Sequence, residues 1–197
     1  MKMVIKAQSI SKKVKGLSLY NDLSFEAPAG SRLIITGANG TGKSILLMLL
    51  AGLLKPDEGA LTLNTSKGVS WSPFHLGLDE FLSVKENISP WVDSKRQAQL
   101  QIALWGLESI KNKRLEKLST GQRKRVLLSR AFGSKKDIIL LDEPRAGLDS
   151  HYYQTLDEQM QKQQGRGAVI VIATHVPEKF SGENTQTISL GEGHELS

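Results

Sequence analysis

With 197 residues, 39% of them hydrophobic and 23% charged, the chain has the composition of a globular protein and length for one domain with at most an added lobe. It contains no cysteine, which excludes disulfides, thiolate metal sites and cysteine nucleophiles. The net charge of +6 fits a solvated surface with some phosphate-binding character as well as an anionic partner, so charge alone selects neither.

In chain order, Met1 to Ile5 lacks the apolar core of a signal peptide, so no export signal is expected. The alternation through Val4 to Ile10 and Leu19 to Phe25 predicts antiparallel strands, followed by a turn at Pro28-Ala29-Gly30. Arg32 to Thr36 reads as a short strand running into glycines. Ile45 to Leu53 then has helical length, stopped by Gly52 and Lys55-Pro56. The longest apolar run, Ile45 to Leu54, falls short of the roughly 18 to 20 residues that cross a bilayer, so no membrane-spanning segment is predicted. Further strands are expected at Ala60 to Asn64 and Val69 to Ser72. From about Ser83 to Lys117 the pattern changes to polar helices carrying Trp91, Trp105 and several leucines. Strands return at Asp137 to Leu141 and Ala168 to Ala173, each nearly all apolar, as parallel strands covered on both faces are. The tail from Ser181 onward is polar and Gly-rich. The fold class expected is α/β: a phosphate-loop NTPase core with a mixed, mostly parallel sheet, an N-terminal antiparallel part and an inserted helical lobe. The core lobe is placed at 1–72 and 118–197, and the helical lobe at about 73–117.

Gly37-Ala38-Asn39-Gly40-Thr41-Gly42-Lys43-Ser44 fits GxxxxGK[ST] between a predicted strand and a predicted helix, the context that motif requires. Glycines let the backbone curl until successive N–H groups face an anion, and the helix start adds the positive end of its dipole. Lys43 is suited to reach β- and γ-phosphates and the Ser44 hydroxyl to coordinate Mg²⁺, so ATP and Mg²⁺ are the expected ligands. Asp142 and Glu143 close the apolar strand Ile138 to Leu141, at the end where ligands of parallel sheets collect. Asp142 is suited to the metal, and Glu143 to orienting or deprotonating the attacking water.

Upstream of these acids, Leu118-Ser119-Thr120-Gly121-Gln122 resembles the LSGGQ signature of the ABC ATPases. Ser119 can cap the helix running from about Gln122 to Phe132, turning its N-terminus toward an anion. In that family the segment serves the nucleotide held by a second subunit. The resemblance therefore implies a head-to-tail homodimer or heterodimer with another ABC ATPase subunit, with Ser119, Thr120, Gly121 and Gln122 completing the partner's site. Gly147-Leu148-Asp149 is similar to the family's D-loop, and His175 to its switch histidine, whose neutral imidazole could contact the γ-phosphate and Glu143. His151 and His194 match nothing and read as surface residues.

The sequence departs from the family in three places. Ser11 to Gly16 holds no aromatic for stacking on adenine, leaving Val14 and Tyr20 as alternatives. The Q-loop glutamine is missing, with Phe74 by the commonest spacing or His75 by a close one in its place. Thr120 replaces a signature glycine, a change expected to be tolerated. Trp71, Trp91 and Trp105 read as packing residues, since no basic run interleaves with them. Arg123-Lys124-Arg125 reads as a solvated helix face.

The resemblance implies a cytoplasmic ATPase subunit, peripheral on the inner face of the membrane, working with a transmembrane permease subunit and without nucleic acid. A narrower resemblance, to the small exporter ATPases of the haem-exporter type in cytochrome c maturation, rests on the stretch Trp71 to Ile88, the short tail and the absent adenine aromatic. The alternatives are a non-transport ABC ATPase that remodels a protein or nucleic-acid complex, and a subunit that senses nucleotide without hydrolysing it. A groove lined by apolar residues on the helical lobe would favour transport, and a continuous basic stripe crossing the dimer face would favour nucleic acid.

Overall fold

A computed structural model describes residues 2–73 and 77–191. Two long strands, β1 (Met3–Val14) and β2 (Leu17–Pro28), are joined by Lys15 and Gly16 at φ 51° and 84°, the left-handed pair that a tight hairpin between right-twisted strands demands. After β3 (Arg32–Thr36), α1 (Lys43–Leu50), β4 (Glu58–Leu63) and β5 (Val69–Ser72), the chain enters a helical stretch with α2 (Val84–Ile88) and α3 (Lys95–Leu104). It then returns through α4 (Thr120–Phe132), β6 (Ile138–Asp142), α5 (Tyr153–Gln164), β7 (Val169–Ala173) and β8 (Thr185–Ser189).

The strands form two sheets. One is antiparallel, in the order β2-β1-β4, and the other has five strands in the order β5-β6-β7-β3-β8, every neighbouring pair parallel. The expected mixed sheet is thus two sheets of different kinds. The polar tail also contributes β8, an edge strand paired in parallel with β3 in which Ile188 is the one buried residue. Helix α1 begins two residues earlier than the apolar run suggested, because Lys43 and Ser44 already turn with it.

Period-two alternation divides the core in two. Ile34, Ile139, Leu141, Ile170 and Ile172 face α4 and α5 together with Trp105 and Phe132. Leu33, Ile35, Leu140 and Val171 face α1 and the antiparallel sheet, packing on Leu46, Leu47 and Leu50. Each such side chain, fully removed from water, contributes about 1.5–3 kcal/mol before conformational entropy is subtracted. Among the described residues between β5 and α4 the only strand-like pairing is an isolated bridge between Ser83 and Arg114.

Two expectations about side chains are corrected here. Trp105 is buried, stacked 6.3 Å from Phe132, and donates from Nε1 to Gln101 Oε1, and Trp71 packs against the core as expected. Trp91, by contrast, is 56% exposed, with the Arg130 guanidinium 4.1 Å from its ring centre. Its partner is thus a cation lying on the ring face, which lets the other side stay in water. The run at 123–125 is not a solvated face either. Only Arg123 is a surface residue, ion-paired with Glu80, whereas Lys124 and Arg125 are buried. Helix α4 is enclosed between the sheet and the helical stretch, so successive residues at 100° intervals cannot all reach solvent. Lys124 Nζ donates to the main-chain oxygen of Asp142, and Arg125 Nη1 donates to the oxygens of Trp105 and Gly106 and to the Tyr152 hydroxyl. His151 is exposed as expected, and His194, Phe74 and His75 lie outside the described residues.

Asp137, ahead of β6, holds the β4–β5 turn by accepting hydrogen bonds from the Ser66 and Lys67 amides and the Thr65 hydroxyl. Burial works to raise its carboxyl, but the Lys67 and Ser66 amides and the Thr65 hydroxyl outweigh it and hold the group below the ordinary carboxylate value. Because the folded value is depressed, the stability it contributes is present above the ordinary value near 3.8 and is lost as pH falls through the folded one. Asp137→Asn is expected to lower stability by about 1 kcal/mol at pH 7, a figure already reduced for solvent screening. Urea midpoints of the two proteins should converge as the pH is taken below 4, and a constant gap across that range would count against the assignment.

Candidate active site

The strand order β6-β7-β3 sets the carboxyl ends of three adjacent parallel strands side by side. Each end carries part of the candidate chemistry. Beyond β3 the chain enters the loop Gly37–Gly42, beyond β6 it enters Glu143, and beyond β7 it reaches Thr174 and His175. Gly37 has φ 152°, and a Cβ there would lie 2.5 Å from the Leu190 oxygen and 2.7 Å from Thr41 Oγ1, so neither conformation nor space admits a side chain. Helix α1 has a left-handed glycine at its N-cap, no side-chain cap and no acid in its first turn. Its first amides are thus free of an internal competitor for an anion.

Lys43 is buried, and its ammonium donates to the main-chain oxygens of Gly37 and Ala38 at 2.8 and 2.9 Å. Its charge therefore sits inside the loop's curl. Ser44 Oγ donates to Asp142 Oδ2 at 2.9 Å. Burial raises the Asp142 carboxyl above the ordinary value, against the lowering by the Ser44 hydroxyl, Lys124 and Lys43. A hydroxyl and a carboxylate in contact are hard oxygen donors of the kind that bind Mg²⁺ together with phosphate oxygens and water. Among the described residues no group of three or more His, Asp or Glu is placed to hold a metal ion.

Glu143 adopts φ 44°, a left-handed conformation that costs a non-glycine residue about 1–3 kcal/mol. Its side chain is fixed at three points. Oε1 accepts from the His175 amide at 3.1 Å and lies 2.9 Å from His175 Nδ1, and Oε2 accepts from the Thr174 hydroxyl at 3.2 Å. The carboxylate is 15% exposed and the imidazole 61% exposed, so a locked acid lies beneath an accessible ring.

These groups line one cleft of about 780 Å³, within the range of small-molecule and cofactor sites. Asn39, Gly40, Gly42, Lys43, Ser44, Asp142, Glu143 and His175 line it. Val14, Leu17 and Leu19 add apolar lining, with Leu19 beside Gly42. Of the two adenine candidates, Val14 lines the cleft, whereas Tyr20 is buried in the core with a hydroxyl that lacks a partner and a proton held tightly by burial. Leu17 and Leu19 escaped sequence reasoning because a search for an aromatic passes over aliphatic residues. The one sequence signal was an aliphatic residue, Leu17, directly after the Lys15-Gly16 turn, and the structure leaves it 72% exposed.

Ser119, Thr120, Gly121 and Gln122 do not line the cleft. Ser119 caps α4: its hydroxyl accepts from the Gln122 amide, and the Gln122 side chain accepts from the Ser119 amide. Thr120 is exposed, so the side chain in place of a glycine finds room. Gly121 is different, since a Cβ there would lie 2.9 Å from the Gly147 oxygen. The signature turn and the Gly147–Asp149 loop are thus packed backbone to backbone.

Strand order and cleft together define a phosphate-loop NTPase with an antiparallel sheet laid against its nucleotide side. Comparison with known proteins narrows this class. Residues 20–146 match the ABC transporter family. The cytochrome c biogenesis ATP-binding export protein CcmA of Novosphingobium aromaticivorans is 38% identical, over 87% of this chain and 87% of its own. The protein of that name from Chelativorans sp. is 32% identical over 98% and 100%. A solved ATP-binding subunit of an ABC transporter superposes with a TM-score of 0.84 at 22% identity, over 95% of this chain and 85% of that one. The chain belongs to the ABC transporter ATP-binding family. It binds ATP and, as an ATPase, powers a membrane transporter.

Gly121→Ala is expected to force the signature turn away from Gly147, costing about 1–3 kcal/mol by overpacking. Chemical denaturation checks this, with Thr120→Ala, at an exposed position, expected to stay within about 0.5 kcal/mol of the parent.

Proposed function

We propose that this chain hydrolyses MgATP in the cleft between the phosphate loop and Glu143, as the ATPase subunit of an exporter of the cytochrome c biogenesis type. The observation that carries the reading is the contact of Glu143 with His175 beside the lysine and serine of the phosphate loop in one cleft. The amides of Gly37 to Ser44 cradle the phosphates, and Lys43 leaves the loop carbonyls to meet the β- and γ-oxygens. Ser44 and Asp142 would hold Mg²⁺, which would supply positive charge against the phosphates. Glu143, locked by Thr174 and His175, orients the attacking water and takes its proton, and phosphate leaves with ADP as the other product. His175, reaching from the exposed edge, contacts the γ-phosphate. The adenine rests on Val14, Leu17 and Leu19.

Hydrolysis needs a second copy or a second ABC ATPase subunit, whose Ser119–Gln122 turn covers the phosphate. The separation of that turn from the cleft within one chain supports this arrangement. Of the exposed large apolar residues, Phe81, Leu82, Trp91, Leu100 and Leu104 all belong to the helical stretch. Apolar surface of this kind fits a transmembrane permease subunit as the partner better than it fits nucleic acid. The subunit attaches through that partner, at the inner face of the membrane; among the described residues no helix is long and apolar enough to cross a membrane.

Glu143→Gln is expected to lower ATP turnover at least 100-fold, as loss of a general base does, with ATP binding retained within about threefold. Undiminished turnover would remove Glu143 from the mechanism. The same variant should hold the closed dimer and co-purify with an integral membrane protein, and recovery with ribosomes or nucleic acid instead would favour a remodelling ATPase. For the export reading, cells carrying only Glu143→Gln should lose haem-stained c-type cytochromes, and normal levels would point to another cargo.

A further inference from the structure

Arg145 stands two residues beyond Glu143 and does not line the nucleotide cleft. Its Nη2 donates to both carboxylate oxygens of Asp157, at 3.0 and 2.8 Å, on the second turn of α5. The ring of Tyr153, one turn earlier, lies 4.9 Å from its Cζ, and the ring of Phe180 lies 4.8 Å away. Phe180 closes the short turn Pro177–Phe180 that follows His175. The main-chain oxygen of Phe180 accepts from Arg32 Nη1 at 2.7 Å, and Arg32 Nη2 reaches Gln164 of α5 at the same distance. Arg32 opens β3, the strand that leads into the phosphate loop.

One guanidinium thus meets the loop that carries Glu143, the segment that carries His175 and the helix lying alongside both. The contacts suit arginine better than lysine, because the guanidinium lies near the rings of Tyr153 and Phe180 while one of its nitrogens, Nη2, reaches both oxygens of Asp157. Within the pair Arg145 is the shielded member, its side chain 16% exposed against 40% for Asp157, so water screens the pair from the carboxylate side only. Asp157 also lies in the field of Arg32. Burial disfavours the charged form of Arg32, Asp157 favours it, and Arg145 opposes it, so one carboxylate serves two cations. The need for such a clamp is visible in Glu143, whose left-handed backbone persists only if the surroundings dictate it.

We propose that Arg145 is a positioning residue that, through Asp157, Tyr153 and Phe180, holds the Glu143 loop and the His175 segment at the separation hydrolysis requires. The inference rests on Glu143 and His175 being the hydrolytic pair. Arg145 touches neither nucleotide nor water. It acts on the backbone that presents them, where displacements of about 1 Å cost up to 100-fold in rate.

The test measures ATP turnover of the full chain in its membrane complex for the parent, Arg145→Met, Asp157→Asn, the double variant and Glu143→Gln. Arg145→Met and Asp157→Asn should each lower kcat about tenfold or more, while KM for ATP stays within about threefold. The double variant should fall no more than about twofold below the weaker single, because both remove one clamp. A merely structural loss would lower the amount of folded complex, read by thermal unfolding, without this kcat-specific, non-additive pattern. If Arg145→Met does not fold, Asp157→Asn carries the test alone, since the side chain is 40% exposed and the amide keeps an acceptor. Parental kcat in Asp157→Asn, or additive losses in the double variant, would overturn the clamp while an inactive Glu143→Gln left the hydrolytic pair standing. Full activity of Glu143→Gln would instead overturn the reading on which the clamp rests.

Discussion

The parallel pairing of β7 between β6 and β3 constrains everything else in this molecule. Registers such as Leu140 with Val171 and Ile34 with Ile172 align the three strands so that they end at one edge. That edge receives the phosphate loop, the acidic pair and the histidine from segments far apart in the chain. Burial on both faces holds the registers, because a slip by one residue would exchange the two sets of side chains that fill the two halves of the core. Ligand sites collect at such an edge because the connections there leave the sheet in loops with unpaired backbone groups.

Around that edge the molecule keeps an unusual amount of charge out of water. Lys43, Lys124, Arg125 and Asp142 are buried, and Arg145 nearly so. Each cation finds carbonyl oxygens or a carboxylate, as buried charge requires. Burial pulls Lys124 down to about 8, with Asp142 and Glu143 working to raise it. Since Lys124 belongs to α4, which starts beside the Ser119–Gln122 turn, a single side chain joins that helix to the strand that ends in Asp142. Arg145 plays the corresponding part on the other side of β6, toward α5.

The strained backbone of Glu143 belongs to this picture. A carboxylate in relaxed extended geometry at the end of β6 would not be directed at the Thr174 hydroxyl and His175 by the same turn. The conformation is kept by contacts from two directions: the amide of Glu143 donates to the Ala173 oxygen at 2.9 Å, and Arg145 is fixed to Asp157. Local strain beside reacting groups, sustained by ordinary interactions around it, is a recurring arrangement in active sites.

Much of this was legible before any coordinates. The motif at 37–44 and the acids at 142–143 are local patterns whose chemistry follows from residue type and spacing, the roles of the turn at 118–122 and of His175 came from the family resemblance, and the strands β3, β6 and β7 announce themselves by continuous apolar runs. Other features were not local and could not be read that way. Lys124 and Arg125 look like a solvated face until α4 is enclosed, and β8 looks like a loop until β3 offers it a partner. Leu17 and Leu19 look like hairpin residues until the hairpin folds over the phosphate loop, bringing Leu19 to 3.1 Å from where a side chain on Gly42 would begin. Sequence by itself determined the chemistry available to this protein, because motif residues are close in the chain and carry their function in their atoms. Only the tertiary structure decided which charges are buried, which residues line the cleft, and that Arg145 reaches both α5 and the turn after His175, because burial and long-range contact depend on what the rest of the chain places around each residue.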